Sequence, residues 1–268
     1  MKNTRGNKNQ RILAGCMLAC FVLTVRCEPT AVSAYSKSYE NPTLLNGPST
    51  YSSTASLMKR SDEAETAPQI EYTIEEDKVE YKDKNGIVRG LVSFSYPQFR
   101  SSSPALIKIN KELKNKSKKY FLSGNAATIK ETTQYSIDNH RFYDKHEQYY
   151  WTTQCSVSYD DNGIISFHMN EQWYAGGVHN VDNYGLNYDL TTGKKLSIND
   201  VISGNARKKI LKAGKAYCKD DMTAYAHIKQ TKKFKFYLYK GDVYICFGSY
   251  ELAHGTSWDE FTVKGSYD

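Results

Sequence analysis

Two long arms, "QYYWTTQCSVSYD" and "IISFHMNEQWYA", flank Asp161-Asn162-Gly163 in the middle of the chain. Asn-Gly supplies the positive-φ pair that a tight turn between antiparallel strands demands, so the arms must fold back on each other. On the first arm Trp151, Thr153, Cys155, Val157 and Tyr159 share one parity. One face of the hairpin therefore meets a core, and the other faces solvent or a ligand. A chain with this hairpin at its centre is built around an antiparallel sheet.

The flanking sequence extends that sheet. "IEYTIEEDKVEYKD" and "GIVRGLVSFSYPQF" read as two strands joined at Lys84-Asn85-Gly86, with Pro97 ending the second. "SSSPALIKINKELKNKSKKYFLSGN" reads as a helix. Ser103 caps it, Pro104 takes its first position, Leu106, Ile109, Leu113 and Tyr120 recur at helical spacing, and Gly124 marks its end. Its lysine run reads as a solvated face rather than a polyanion site. A strand from Asn183 to Leu190 leads through Thr192-Gly193 into "KKLSI". Asn199 or Asp200 caps a second helical region, which resumes after Gly204 from Ala206 to Tyr217 with Ile210 and Leu211 apolar. "KFKFYLYKGDVYICFGSYEL" reads as a hairpin turning at Lys240-Gly241-Asp242, and "DEFTVKG" as a closing strand. The fold class expected is α+β, a largely antiparallel sheet with two main helices.

Residues 1–34 read as a signal peptide. Lys2, Arg5, Lys8 and Arg11 precede an apolar run from Ile12 to Val25, short for a membrane span, and Val32 and Ala34 provide small residues for cleavage after Ala34. The alternatives are an uncleaved anchor and acylation at Cys16 or Cys20, although most of the apolar run follows Cys16. Residues 35–67 are rich in Ser, Thr, Asn and Pro and read as a flexible tether. Removing the leader takes five of the 36 positive charges and one of the 29 negative ones, leaving +3. With neither a basic stripe nor a motif, nucleic acid is not an expected partner. A membrane is a partner only if the leader stays uncleaved or lipidated. Three cysteines follow the leader, Cys155, Cys218 and Cys246. A bridge between Cys155 and Cys246 and a pair of buried free thiols both fit their placement in strands.

Several phrases together resemble one family. "VSFSYPQF" followed by "INKEL" looks like the start of the PdaC-type domain (DUF4163), placed at 68–165. "WYAGGVHNVDNYGLNYDLTTGKKLSINDV" and "FYLYKGDVYICFGSYELAHGTSWDEFTV" are similar to its usual partner domain (DUF3298), placed at 166–268. The resemblance implies a secreted or envelope-tethered bacterial module, like the ectodomain of RsiV-type anti-sigma factors, which bind a lysozyme-like protein. The pair also precedes the catalytic domain of some peptidoglycan deacetylases. With eleven residues ahead of the apolar run and the sequence read to Asp268, neither a sigma-binding domain nor a deacetylase domain is expected. The expected role is binding or sensing of a lysozyme-like protein or peptidoglycan at the extracellular face of the envelope. An accessory module or enzyme of cell-wall metabolism is the alternative.

The residues themselves offer no catalytic constellation. No histidine pair has His-x-x-x-His spacing, no Gly-x-Ser-x-Gly elbow occurs, and Cys155 lies mid-strand. No catalytic residue, metal ligand or cofactor is therefore assigned, although His168 and His179 can meet across a fold. Gly176-Gly177-Val178-His179 reads first as architecture, with glycines for a bend and His179 bonding the loop. Its second reading is the rim of a binding groove formed by Trp173, Tyr174, His179 and Tyr184. The acidic run Glu75-Glu76-Asp77, with Glu71, is the best candidate face for a basic partner.

Overall fold

The computed structural model describes residues 70–252 and 255–267. The expected leader and tether, the acylation candidates Cys16 and Cys20, and His254 lie outside the described residues.

Local turn chemistry builds the main sheet. Asp83 Oδ1 accepts from the N–H groups of Asn85 and Ile87 at 2.9 and 3.1 Å, and Gly86 has φ +77°, which joins β1 (Tyr72–Lys82) to β2 (Val88–Phe99). Asn162 and Gly163, at φ +52° and +70°, join β3 (Tyr149–Asp161) to β4 (Ile164–Tyr174). With β5 (Asn180–Asp189) and β6 (Lys194–Lys195) the sheet runs β1-β2-β3-β4-β5-β6. Every junction is antiparallel except β2–β3, where Gly90–Ser93 pair with Tyr149–Thr152 in parallel. A parallel pair needs a long crossover, here α1 (Pro104–Phe121) and α2 (Gly124–Asp138).

Pro97 does not end β2; it lies within it, opposite Ile74. Ser95 N–H donates to Thr153 Oγ1 and Phe99 N–H to Asn110 Oδ1, both 2.9 Å, so the odd-numbered amides point away from β1. The N–H that Pro97 lacks would face that side, beyond the short β3 pairing, where no ladder bond is lost. Gly124 likewise does not close the predicted helix. α1 stops at Phe121, and Gly124 opens α2 behind its cap Ser123, whose Oγ accepts from Ala126 N–H at 3.5 Å. Both helices cover one face of the sheet, where Phe94, Ile109, Leu113, Ile129, Phe167 and Leu186 are fully buried. Each such side chain contributes about 1.5–3 kcal/mol.

A bulge transfers the hairpin from one core to the other. The β3–β4 register slips between Val157, opposite Phe167, and Tyr159, opposite Ser166. The parity predicted from Trp151 to Tyr159 therefore breaks, and Tyr159 turns to the opposite face to meet Tyr267 edge-on at 4.9 Å. On that face lies a three-stranded antiparallel sheet of β7 (Lys235–Tyr239), β8 (Asp242–Phe247) and β9 (Asp259–Lys264). It packs with α3 (Ile198–Val201), α4 (Ala206–Cys218) and α5 (Met222–Gln230) around Ile210, Ile228, Leu238, Val243 and Ile245. The layers are bonded where Asn187 Nδ2 donates to Phe236 O and Leu238 N–H to Ser166 Oγ, both at 3.0 Å. The class is α+β as the sequence predicts, with five helices among the described residues where two main ones were expected. Cys155, Cys218 and Cys246 are free thiols, and burial pushes Cys155 up to about 12.

The cap before α3 is Ser197, not Asn199 or Asp200. Asp200 instead reaches back from the third helical position, accepting from Ser197 N–H at 2.7 Å and Ser197 Oγ–H at 2.6 Å. Lys194, paired at 2.7 Å, and Ser197 hold its carboxyl down at about 2. A depressed carboxyl stabilises the fold above its unfolded pKa and ceases to do so as pH falls through the folded value. Asp200→Ala should lower stability by about 1 kcal/mol at neutral pH. In urea titrations the difference from the parent should close between about pH 4 and pH 2.

Candidate functional groove

β5 pairs with β6 only at Tyr188 and Asp189. Leu196 N–H bonds Asn187 O, and Ser249 N–H bonds Val181 O, both at 2.8 Å, so covering segments meet the edge of β5 at its two ends. Between those ends lies a two-lobed groove bordered by α1 and the start of β7. The larger lobe, about 400 Å³, is lined by Lys116, Tyr120, Glu171, Tyr184, Lys195 and Phe234, among others. The smaller, about 140 Å³, is lined by Glu171, Trp173, Asp182, Lys235, Ser249 and Glu251, among others. Glu171 and Lys235 border both.

Strand register brings these groups together. Glu171 sits opposite Asp182 and Met169 opposite Tyr184 across β4–β5, and Trp151 opposite Trp173 across β3–β4. All point to the face that α1 covers. Glu171 accepts from Trp151 Nε1–H at 2.9 Å, and burial raises its carboxyl above the usual range, with neighbouring Asp182 adding to the effect. Burial also raises Asp182, although Lys235 Nζ donates to both its oxygens at 2.9 and 2.7 Å. The same ammonium reaches Glu251 at 3.0 Å. Burial opposes the charge on Lys235, but its two carboxylates outweigh that and carry its pKa upward.

Lys116 departs from the solvated lysine face predicted for α1. It is half-buried, with Nζ 4.4 Å over the Tyr184 ring, and has no ion pair among the described residues. Burial first, then repulsion from Lys195, lowers its pKa to about 8. Tyr120, 8 % exposed, stacks on Trp151 with ring centres 3.5 Å apart, and its hydroxyl has no partner among the described residues. Trp173 Nε1 is likewise buried without a partner among the described residues.

The four residues predicted as a rim divide between two places. Trp173 and Tyr184 line the groove. Tyr174 has the opposite parity, and with His179 it gathers around Tyr150, at 5.8 and 6.0 Å between ring centres. His179 Nε2 is buried without a partner among the described residues, and Gly176 has φ +85° beside the Tyr149 ring. His168 bonds Asn183 at 3.1 Å and stacks on Tyr237 at 4.5 Å, so the two histidines do not meet. Among the described residues no group of three or more His, Cys, Asp or Glu is arranged to hold a metal ion. The acidic run on β1 is interrupted, since Asp77 is taken up by Lys114 at 2.9 Å and Ser117 at 2.6 Å.

Lys116, Glu171, Asp182, Lys235 and Glu251 are not site candidates by sequence, and Tyr120 is expected there only as a core position of the helix. For Lys116 a signal existed: Leu106, Ile109, Leu113, Lys116 and Tyr120 fall on one stripe of the helix, and a lysine occupies an apolar slot.

Comparison with known proteins bears on the central segment. No curated protein matches the chain. A DUF3298 family protein of Bacteroides fragilis is similar in structure, with TM-score 0.49 and 16% identity, over 73% of this chain and 89% of that one. Another from Pseudomonas aeruginosa gives TM-score 0.42 and 14% identity, over 73% and 90% of the two chains. The family whose model matches is Deacetylase PdaC, over residues 81–182, the segment that contributes Lys116, Tyr120, Glu171 and Asp182 to the groove.

Proposed function

We propose that the chain is an extracytoplasmic binding module that recognises peptidoglycan glycan in the groove between α1, β5 and β7. The observation that carries this reading is the groove itself, a concave site lined by aromatic and charged groups at the open part of β5. A larger lobe of about 400 Å³ matches the size of small-ligand sites. Concavity favours an extended glycan over the convex surface of a lysozyme-like protein. The interrupted acidic run on β1 also gives a basic partner little to dock against. The leader and the resemblance to envelope domains support a location outside the cytoplasm. No helix among the described residues is long and apolar enough to cross a membrane.

A hydrolytic reading has one observation in its favour, the raised carboxyl of Glu171 beside Asp182. Asp182 and Glu251, the other carboxylates of the smaller lobe, are however both bonded by Lys235.

Co-sedimentation with purified, insoluble peptidoglycan at physiological salt tests the proposal. The intact chain should be retained, and Trp173→Phe, which shrinks the aromatic lining of the smaller lobe, should weaken retention severalfold. Absence of retention, or retention indifferent to Trp173→Phe and Asp182→Asn, would refute it. Capture by lysozyme without capture by peptidoglycan would favour the protein ligand. Release of reducing ends, abolished by Glu171→Gln, would establish the hydrolase.

A further inference from the structure

We infer that β1 pairs with β1 of a second copy of this chain, so that the two six-stranded sheets join edge to edge about a two-fold axis at Val79. β1 is the first strand of its sheet and is bonded on one side only among the described residues. Arg100 N–H donates to Glu71 O at 2.9 Å, and the β1–β2 register is unbroken from Tyr72 to Tyr81. The odd-numbered residues of β1 therefore bond β2, and the N–H and C=O groups of Ile74, Glu76, Lys78 and Glu80 point outward. The register shift at Tyr81–Lys82 places the extra residue, Arg89, on β2, so the alternation of β1 carries on to Lys82. An open edge of this length is a template for another strand.

Charge decides which strand. Edges are commonly blunted by charges that face like charges when two copies meet. β1 instead carries Glu76, Lys78, Glu80 and Lys82 at successive outward positions, all exposed, and 3.1 Å contacts of Glu80 with Lys78 and Lys82 put those three on one face. That alternation is complementary to its own reverse. In an antiparallel pair centred on Val79, Glu76 of each copy faces Lys82 of the other, and Lys78 faces Glu80. These pairs exchange about eight backbone hydrogen bonds. Sliding one step either way sets Lys78 or Glu80 against its own copy, so the pattern selects the register. Val79, 41 % exposed, meets its copy at the axis as a non-hydrogen-bonded pair, where side chains come closest. β1 lies at the other end of the strand order from β5, and the pairing uses none of the groove's residues.

Sedimentation equilibrium of the intact chain tests the pairing. The parent should be dimeric at roughly 0.1 mM, as a small interface built on one strand pair allows. Lys78→Glu and Glu80→Lys each set like charges opposite one another, and each alone should weaken dimerisation at least about tenfold. Mixed in equal amounts, the two variants should form a heterodimer of about the parent's affinity, because each supplies the charge that the other has lost. Recovery in the mixture also shows that both variants are folded. In the dimer the outward amides of Glu76, Lys78 and Glu80 should exchange slowly with solvent. A monomeric parent overturns the inference, and slow exchange at those amides in a monomer would assign the edge to another segment of the same chain. A dimer indifferent to both reversals, or variants that stay apart when mixed, overturns it as well.

Discussion

Replacing Gly185 by valine should destabilise the protein by at least about 3 kcal/mol, the upper range for overpacking, because its cost falls on backbone that has nowhere to move. A Cβ built at Gly185 would clash with the carbonyl oxygen of Phe236 and lie 2.8 Å from Tyr237 Cα. Both belong to β7, whose approach to β5 bonds the two layers through Asn187 and Ser166. Forcing β7 away breaks those bonds, opens the junction between the two cores, and pulls Lys235 from Asp182. Gly177 is the control, since a Cβ there meets nothing within 4 Å, and Gly177→Ala should stay within about 0.5 kcal/mol of the parent. Urea unfolding curves compare the three chains. A Gly185→Val midpoint close to the parent's would mean that the β5–β7 junction contributes little to stability.

Gly185 also illustrates where sequence reasoning stops. The turns at Asn85-Gly86, Asn162-Gly163 and Lys240-Gly241 were legible because a positive φ is demanded locally and declared locally. Gly185 has ordinary backbone geometry, and its reason is a strand about fifty residues away in sequence, which no window reveals. The second helix was missed for a related cause. Ser123-Gly124 is punctuation that serves as a stop for one helix and a cap for the next, and only α2 packing on β2 and β3 decides between them. Asp221 caps α5 through Thr223 and Ala224, yet an acidic pair in sequence reads equally well as a turn. The bulge at Val157–Tyr159 was invisible because alternation predicts continuation, and the opposite core that receives Tyr159 is assembled from later sequence. The candidate groove was half legible. Its distinctive segment drew attention to Trp173 and Tyr184, but parity alone separates Trp173 from Tyr174, and aromatic composition hid that distinction. The charged members needed the register of β4 on β5 and the approach of β7 before they could be seen as one cluster.

Replacing Lys116 by methionine should stabilise the protein at pH 7, by roughly 1–2 kcal/mol. The sign follows from the depressed pKa of about 8. Folding disfavours the ammonium, so the penalty is full below about pH 8. It diminishes as pH rises from there toward the unfolded lysine value of about 10.4, where both states are neutral. The parent's disadvantage relative to Lys116→Met should therefore narrow over that interval. The groups that act on Lys116 bear out the direction: Lys195 repels it, Glu171 and Glu112 attract it without contact, and the Tyr184 ring offsets part of the desolvation. A half-buried amine is partly hydrated, which reduces the magnitude below what the shift alone implies. Methionine keeps the stem's packing and removes the charge. Unfolding curves at pH 7, 9 and 10.5 decide the matter. A methionine variant weaker than the parent at pH 7, with no narrowing above pH 8, would mark Lys116 as a structural residue. A more stable variant whose advantage narrows above pH 8 would mark a lysine that is kept at the expense of the fold.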